Sequence, residues 1–260
     1  MKQIHKLLTL AGILIIVSGS AFSQNKPVSK TRKVKTQTSK TALPSARTII
    51  QKYVAAIGGR AAYQKQTSRV MKGTLEITSA GLKGAYESFA KAPNKSLTSM
   101  TLAGIGEISV AFDGQNGWIT NPIQGTREQK GEELLQTKLS SDFYREVQLE
   151  RLFPKMEVKG KEKIGEKEVF IVVATPNDSE PETFYFDVRT GLLLRRDTIT
   201  VSPEGRIPSQ TYFEDYRQID GIKLPFINRA VTGGFDAVIK FTEIKHNVVI
   251  EDAKFSKPAK

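Results

Sequence analysis

The sequence predicts a mainly β fold of the α+β class, built on a long antiparallel sheet, and three observations predict it. Apolar and polar residues alternate over about twelve short segments, the period of a strand with one face buried. The segments are separated by short runs of Gly, Asn, Asp and Pro, too brief for the crossovers that parallel neighbours need. Helical spacing is confined to two places, one ahead of the first strand and one midway along the chain.

The elements follow in order. Pro44 suits a first helical turn, and Ile49, Ile50, Tyr53, Val54 and Ile57 recur at helical spacing. Gly58-Gly59 stops that helix, and 61–65 adds one further turn. Strands are predicted over 69–79, 83–92, 95–103, 105–112 and 116–121, divided by Ala80-Gly81, Pro93-Asn94, Gly104 and Asp113-Gly114-Gln115-Asn116-Gly117. In 105–112 the alternation puts Ile108, Val110 and Phe112 on one face and Glu107 and Ser109 on the other. Residues 128–153 change period and read as two helices broken near Ser140-Ser141-Asp142, with Pro154 ending the second. Strands resume at 156–163, 167–175, 182–188, 191–201, 207–218, 222–232 and 235–247.

The N-terminus restricts function more than any motif does. Lys2 and Lys6 precede an apolar run from Leu7 to Val17, and small residues follow, with Ala21 and Ser23 at the −3 and −1 positions. This reads as a secretory signal peptide over 1–23, cleaved before Gln24, because the run is shorter than the ~20 residues of a spanning helix. The expected location is the periplasm, as a soluble protein, where ATP- and nicotinamide-dependent chemistry is excluded for want of cofactor. The net charge of +12 is concentrated in 24–44, where Lys26, Lys30, Arg32, Lys33, Lys35 and Lys40 stand without an acid. That composition reads as a basic disordered linker, or as an arm attracted to an anionic membrane surface. It lacks the interleaved aromatics of a nucleic-acid binder, and no nucleic acid is expected as a partner. Residues 45–260 form the folded domain. The chain contains no cysteine, so disulfides, thiol catalysis, thiolate metal sites and a lipidated cysteine are all ruled out.

Little else is equipped for catalysis. His5 falls in the signal, leaving His246, which reads as an exposed residue near the end of the last strand. A serine–histidine pair would have to use this edge residue, a lone histidine is a poor basis for a typical transition-metal site, and no spacing singles out two of the many carboxylates as a glycosidase pair, so the expectation is no enzyme, no metal and no cofactor. Asp113-Gly114-Gln115-Asn116-Gly117 lacks the alternating oxygen ligands of a calcium loop and reads as a hairpin turn. A long antiparallel sheet must cover its apolar face, and the two helical regions are the available cover. Incomplete closure would leave a cavity for a hydrophobic ligand, and complete closure a filled core.

Several turn motifs resemble one family. The stretch Phe89-Ala90-Lys91-Ala92-Pro93-Asn94, the hairpin and strand from Phe112 through Asp113, Gly114, Trp118, Asn121 and Pro122, and the later Asp187-Val188-Arg189-Thr190-Gly191-Leu192 turn resemble the LolA/LolB-like lipoprotein carriers. The ending Asp215-Tyr216 through Asp220-Gly221 to Pro225-Phe226 is similar to that of related envelope proteins. The resemblance implies an unclosed half-barrel of about eleven antiparallel strands, a helical lid and an interior that accepts a lipid or lipoprotein acyl chain, without cofactor or catalysis. It implies membrane proteins that load or accept cargo as further partners. The cavity would be lined by Phe89, Met100, Ile108, Val110, Phe112 and Trp118 of the sheet and by Leu135, Leu139, Phe143 and Val147 of the lid. Ala92 stands where the carrier has the arginine that latches its lid. An envelope stress sensor of the same fold, or a structural envelope protein with a filled core, are the alternatives.

Overall fold

A computed structural model describes residues 42–203 and 205–258. The signal segment and nearly all of the basic arm lie outside the described residues.

Ser45 begins the fold as the N-cap of α1 (Ala46–Ala56), its hydroxyl accepting from the Thr48 N–H at 3.1 Å. Gly58 and Gly59 end the helix at φ of 115° and 84°, backbone angles open chiefly to glycine. The short α2 (Arg60–Gln64) follows. Strands β1 (Ser68–Ile77), β2 (Leu82–Lys91), β3 (Lys95–Leu102), β4 (Gly106–Phe112), β5 (Gly117–Asn121) and β6 (Gly125–Glu128) then form one meander. After the helical crossover 129–154 come β7 (Lys155–Ile164), β8 (Lys167–Thr175), β9 (Glu182–Asp187), β10 (Leu193–Ser202), β11 (Gly205–Ile219), β12 (Ile222–Thr232) and β13 (Phe235–His246).

These thirteen strands form a single unclosed antiparallel sheet in the order β6-β5-β4-β3-β2-β1-β13-β12-β11-β10-β9-β8-β7. The sequence anticipates all but β6, whose four residues Gly-Thr-Arg-Glu carry no apolar side chain and so no alternation to read. The predicted turns are also present. Asp113 accepts the N–H groups of Gln115 and Asn116 at 2.8 and 2.7 Å, and Asp187 accepts those of Arg189 and Thr190 at 2.9 and 2.6 Å. The crossover departs from two regular helices. It comprises α3 (Gly131–Ser140), a 3₁₀ turn over Arg145–Val147 and a single turn, α4 (Leu149–Leu152).

Pairing partners share a face, so the register defines the two sides of the sheet. The inner side carries the main core, including Leu75 and Ile77 of β1, Met100 and Leu102 of β3, Phe184 and Phe186 of β9, and Ile239 and Phe241 of β13. Its backbones approach closely. A Cβ on Gly84 would stand 2.0 Å from the Thr101 carbonyl oxygen, and one on Gly73 would stand 2.2 Å from that of Lys240. The outer side holds a smaller cluster of Val70, Ile250 and Phe255, against which Phe89 and Leu97 pack. The chain end is fastened there by Asp252, which receives Lys91 at 2.8 Å and Lys95 at 2.7 Å.

Helices cover the inner side. α1 lies over the β8–β12 half, its Tyr53 ring 5.1 Å from Phe186 and its Lys52 ammonium 2.6 Å from the Val188 carbonyl. Its C-terminus accepts the Lys223 N–H of β12 through Ile57 O at 2.8 Å. The crossover joins the two free edges, β6 and β7, and spans the inner side between them, meeting β3 through Ser141, β9 through Arg145 and β10 through Gln136.

Candidate functional site

The lid formed by the crossover is attached by polar contacts along α3 and, beyond it, by Val147, Leu149 and Phe153, which are buried in the main core. Phe143 N–H donates to Pro93 O at 2.9 Å, and Ser141 meets Ser96 at 2.7 Å. The backbone of the Lys91-Ala92-Pro93-Asn94 turn therefore holds the lid where the arginine is missing. Both guanidinium ends of Arg127 on β6 grip Glu133 at 2.7 and 2.6 Å. The Gln136 amide donates to Ile199 O at 2.6 Å and accepts the Val201 N–H at 3.0 Å. It serves as a two-bond stand-in for a strand, because β9 ends opposite Asp197 and leaves that edge of β10 open.

These attachments set the rotation of α3. Glu133, Gln136 and Thr137, spaced i, i+3 and i+4, face the sheet and are buried. Leu135 is turned outward at 37% exposure. With Leu139 and Leu152 it lines a cleft of about 370 Å³ between the lid and the Pro176–Ser179 turn. Leu139 is half-buried and also packs on the main core, while Phe143 and Val147 are buried on the lid's underside.

Four of the six expected sheet residues occupy the inner side. Met100 pairs with Ile108 within the main core, Val110 pairs with Thr98, and Phe112 pairs with Ser96. The other two do not. Phe89, Leu97, Ala111 and Trp118 are successive register partners across β2 to β5, so Trp118 shares the outer side with Phe89 and the Phe255 cluster. They face away from Val110. The physical reason is parity: side chains alternate faces, and both sides of this end of the sheet bury apolar groups, so apolarity alone does not name the face.

The interior contains a polar core that the sequence reading missed. Arg145 of the lid, 6% exposed at its side chain, donates to Glu182 of β9 at 2.6 Å, and Arg196 Nε of β10 lies 3.9 Å from the same carboxylate. Burial pulls the Arg145 guanidinium down, but the neighbouring carboxylates more than offset this and leave it raised. Arg196 is left lowered, through burial first and the repulsion of Arg145 after it. Beside them Tyr53 donates to Glu146 of the lid. Burial, then the charge of Glu146, raises the Tyr53 and Tyr216 hydroxyls well above the usual phenol range. A cavity of about 170 Å³ opens among these groups, between α1, β1 and β10–β12.

His246 is likewise not an exposed edge residue. Its imidazole is 1% exposed, Nδ1 stands 2.9 Å from Asp220 of the β11–β12 turn, and Nε2 is without a partner. The next residue, Asn247, is bonded to Gln66 and to the Thr67 N–H. Burial lowers its pKa, and the Asp220 carboxylate opposes that shift. Among the described residues no group of three His, Asp or Glu side chains is placed to hold a metal, and no helix is long and apolar enough to cross a membrane.

No family model and no curated protein matches the chain. Solved structures do. A DUF1329 family protein from Desulfovibrio piger superposes with a TM-score of 0.54 at 14% identity, over 81% of this chain and 96% of that one. A LolA superfamily protein, NE2245 from Nitrosomonas europaea, gives 0.54 at 13% identity, over 83% and 99%. The unclosed sheet, the crossover joining its edges and these superpositions agree with the turn motifs read from the sequence: the chain has a LolA-like fold.

Proposed function

We propose that this chain is an exported carrier or binding protein for a lipid or a lipoprotein acyl chain in the cell envelope, with no catalytic step of its own. The observation that carries the reading is the lid seam. The α3 part of the lid, fastened by hydrogen bonds and ion pairs and with Leu135, Leu139 and Leu152 on a 370 Å³ cleft at its rim, can lift from the sheet while Val147, Leu149 and Phe153 keep the segment after it anchored in the main core. Lifting it would offer Ile108, Val110 and Phe112, now buried, to an acyl chain. Each methylene so buried contributes about 0.8 kcal/mol, so a chain of about ten carbons offsets the loss of several lid contacts. The signal over 1–23 and the basic arm over 24–44 belong to the same reading: export first, then contact with an anionic membrane surface where cargo or partner proteins are met.

The test is native mass spectrometry with lipid extraction on residues 24–260 recovered from the periplasm. The expected result is a bound acyl lipid or lipoprotein, lost in Leu139→Glu while circular dichroism is unchanged. A protein that is empty and also ignores a hydrophobic dye overturns the reading and favours a filled core.

A further inference from the structure

The 170 Å³ cavity under α1 has a chemistry that an acyl-chain site does not require. Arg69, Arg196 and Lys223 line it, and Glu146 is the carboxylate facing them, already engaged by the Tyr53 hydroxyl. Neither guanidinium has a carboxylate to itself. Arg69 rests on the Phe143 ring at 5.5 Å, and the contact of Arg196 with a carboxylate is the 3.9 Å approach to Glu182, which Arg145 already holds at 2.6 Å. Arg196 Nε and Asn228 Oδ1 are buried there without hydrogen-bond partners, which is costly unless a ligand or water completes them. The remaining wall is apolar, from Met71, Phe213 and Leu224. Two guanidinium groups on an apolar wall match the planar, bidentate recognition of carboxylate or phosphate.

We infer that this cavity is an anion site, taking the carboxylate or phosphate headgroup of an amphiphile between Arg69 and Arg196. The lowered pKa of Arg196 agrees, because a buried cation awaiting its counter-ion is destabilised in just this direction. The headgroup assignment rests on the carrier reading for its acyl portion; the anion site itself does not. Lys223, exposed at the cavity wall, is placed to draw the anion inward.

The experiment measures binding of dodecanoate, dodecyl phosphate, dodecanol and inorganic phosphate by calorimetry, to the wild type, Arg196→Gln and Arg69→Gln. Circular dichroism checks each fold, and Arg69→Gln removes no ion pair, so one variant survives if the other unfolds. The expected result is that both charged amphiphiles bind about tenfold or more tighter than dodecanol, and that either substitution reduces this ratio toward one. Competition by inorganic phosphate would assign the site to a free anion, and its absence to a lipid headgroup. If dodecanol binds as tightly as the charged pair, the anion site is wrong and the carrier reading stands. If no amphiphile binds but inorganic phosphate does, in an Arg196-dependent way, the anion site stands and the carrier reading falls. If nothing binds, both fall.

Discussion

Glu182 is held between two guanidinium groups, with Arg145 Nη2 at 2.6 Å and Arg196 Nε at 3.9 Å, and its removal should be the most damaging single change in the lid seam. Glu182→Gln keeps the shape and deletes the charge. At an effective dielectric of about 20, opposite charges about 4 Å apart attract by ~4 kcal/mol, and Glu182 makes that attraction in full with Arg145 and more weakly with Arg196. Relief of the cost of burying the carboxylate cancels part of the loss, and the two arginines are left to repel each other. The expected net cost is about 3–5 kcal/mol. Arg145→Met should cost less, about 2 kcal/mol, since it gives up one attraction and also relieves the repulsion on Arg196. The double variant should cost less than the sum of the singles, with a coupling of about 1–3 kcal/mol. Urea unfolding followed by circular dichroism, with m-values checked for constancy, measures all four corners of the cycle. The reasoning is refuted if Arg145→Met costs as much as Glu182→Gln, or if the two effects add to within about 0.5 kcal/mol.

Two further outcomes follow from the geometry. Gly84→Ala places a methyl 2.0 Å from the Thr101 carbonyl, a backbone atom that cannot rotate away, and should destabilise by about 3 kcal/mol in the same urea assay; a cost under about 0.5 kcal/mol would mean that the strands separate freely there. Because burial lowers the folded-state pKa of His246, the imidazole contributes most above its unfolded value of about 6.5. Stability should fall as pH drops below that value, since the unfolded chain then takes up the proton more readily. His246→Gln should flatten this slope in thermal melts between about pH 7 and 5, and an unchanged slope would assign it to other groups.

What the sequence made legible was local. Asp113 and Asp187 each organise a turn through backbone N–H groups two and three residues on, so the information lies within four residues. The break in the crossover is of the same kind, since the Tyr144 N–H donates to Asp142 Oδ1 at 3.0 Å. Facing was less legible. The alternation of 105–112 placed Val110 and Phe112 together correctly, but no short window reveals that Phe255, far along the chain, covers the outer side near Phe89 and makes that side apolar too. The polar interior was invisible for a related reason. Glu182 meets Arg145 across 37 residues and His246 meets Asp220 across 26, and neither pair leaves a periodic trace. One signal was available: in Leu193-Leu194-Arg195-Arg196 the adjacent arginines of a strand must point to opposite faces, so one guanidinium had to enter the core. In α3 the leucines promised an apolar seam, and the sheet edge selected Gln136 instead because open backbone groups need hydrogen bonds more than they need a methyl.

The pairing of β1 with β13 has a consequence for how the chain acquires its shape. Each meander can assemble from neighbouring hairpins, which close quickly because their partners are near in sequence. Their union cannot: Arg69 meets His246 in the ladder that joins the halves, the strand pairing with the greatest sequence separation in the sheet. The two halves therefore share no strand pairing until the final strand arrives, and the step that unites them carries the highest loop-closure entropy of the assembly. Truncation just before Phe235 would not trim an edge but would split the sheet down its middle. A polypeptide organised this way can build each half early, strand by strand, and completes its architecture only in one late event.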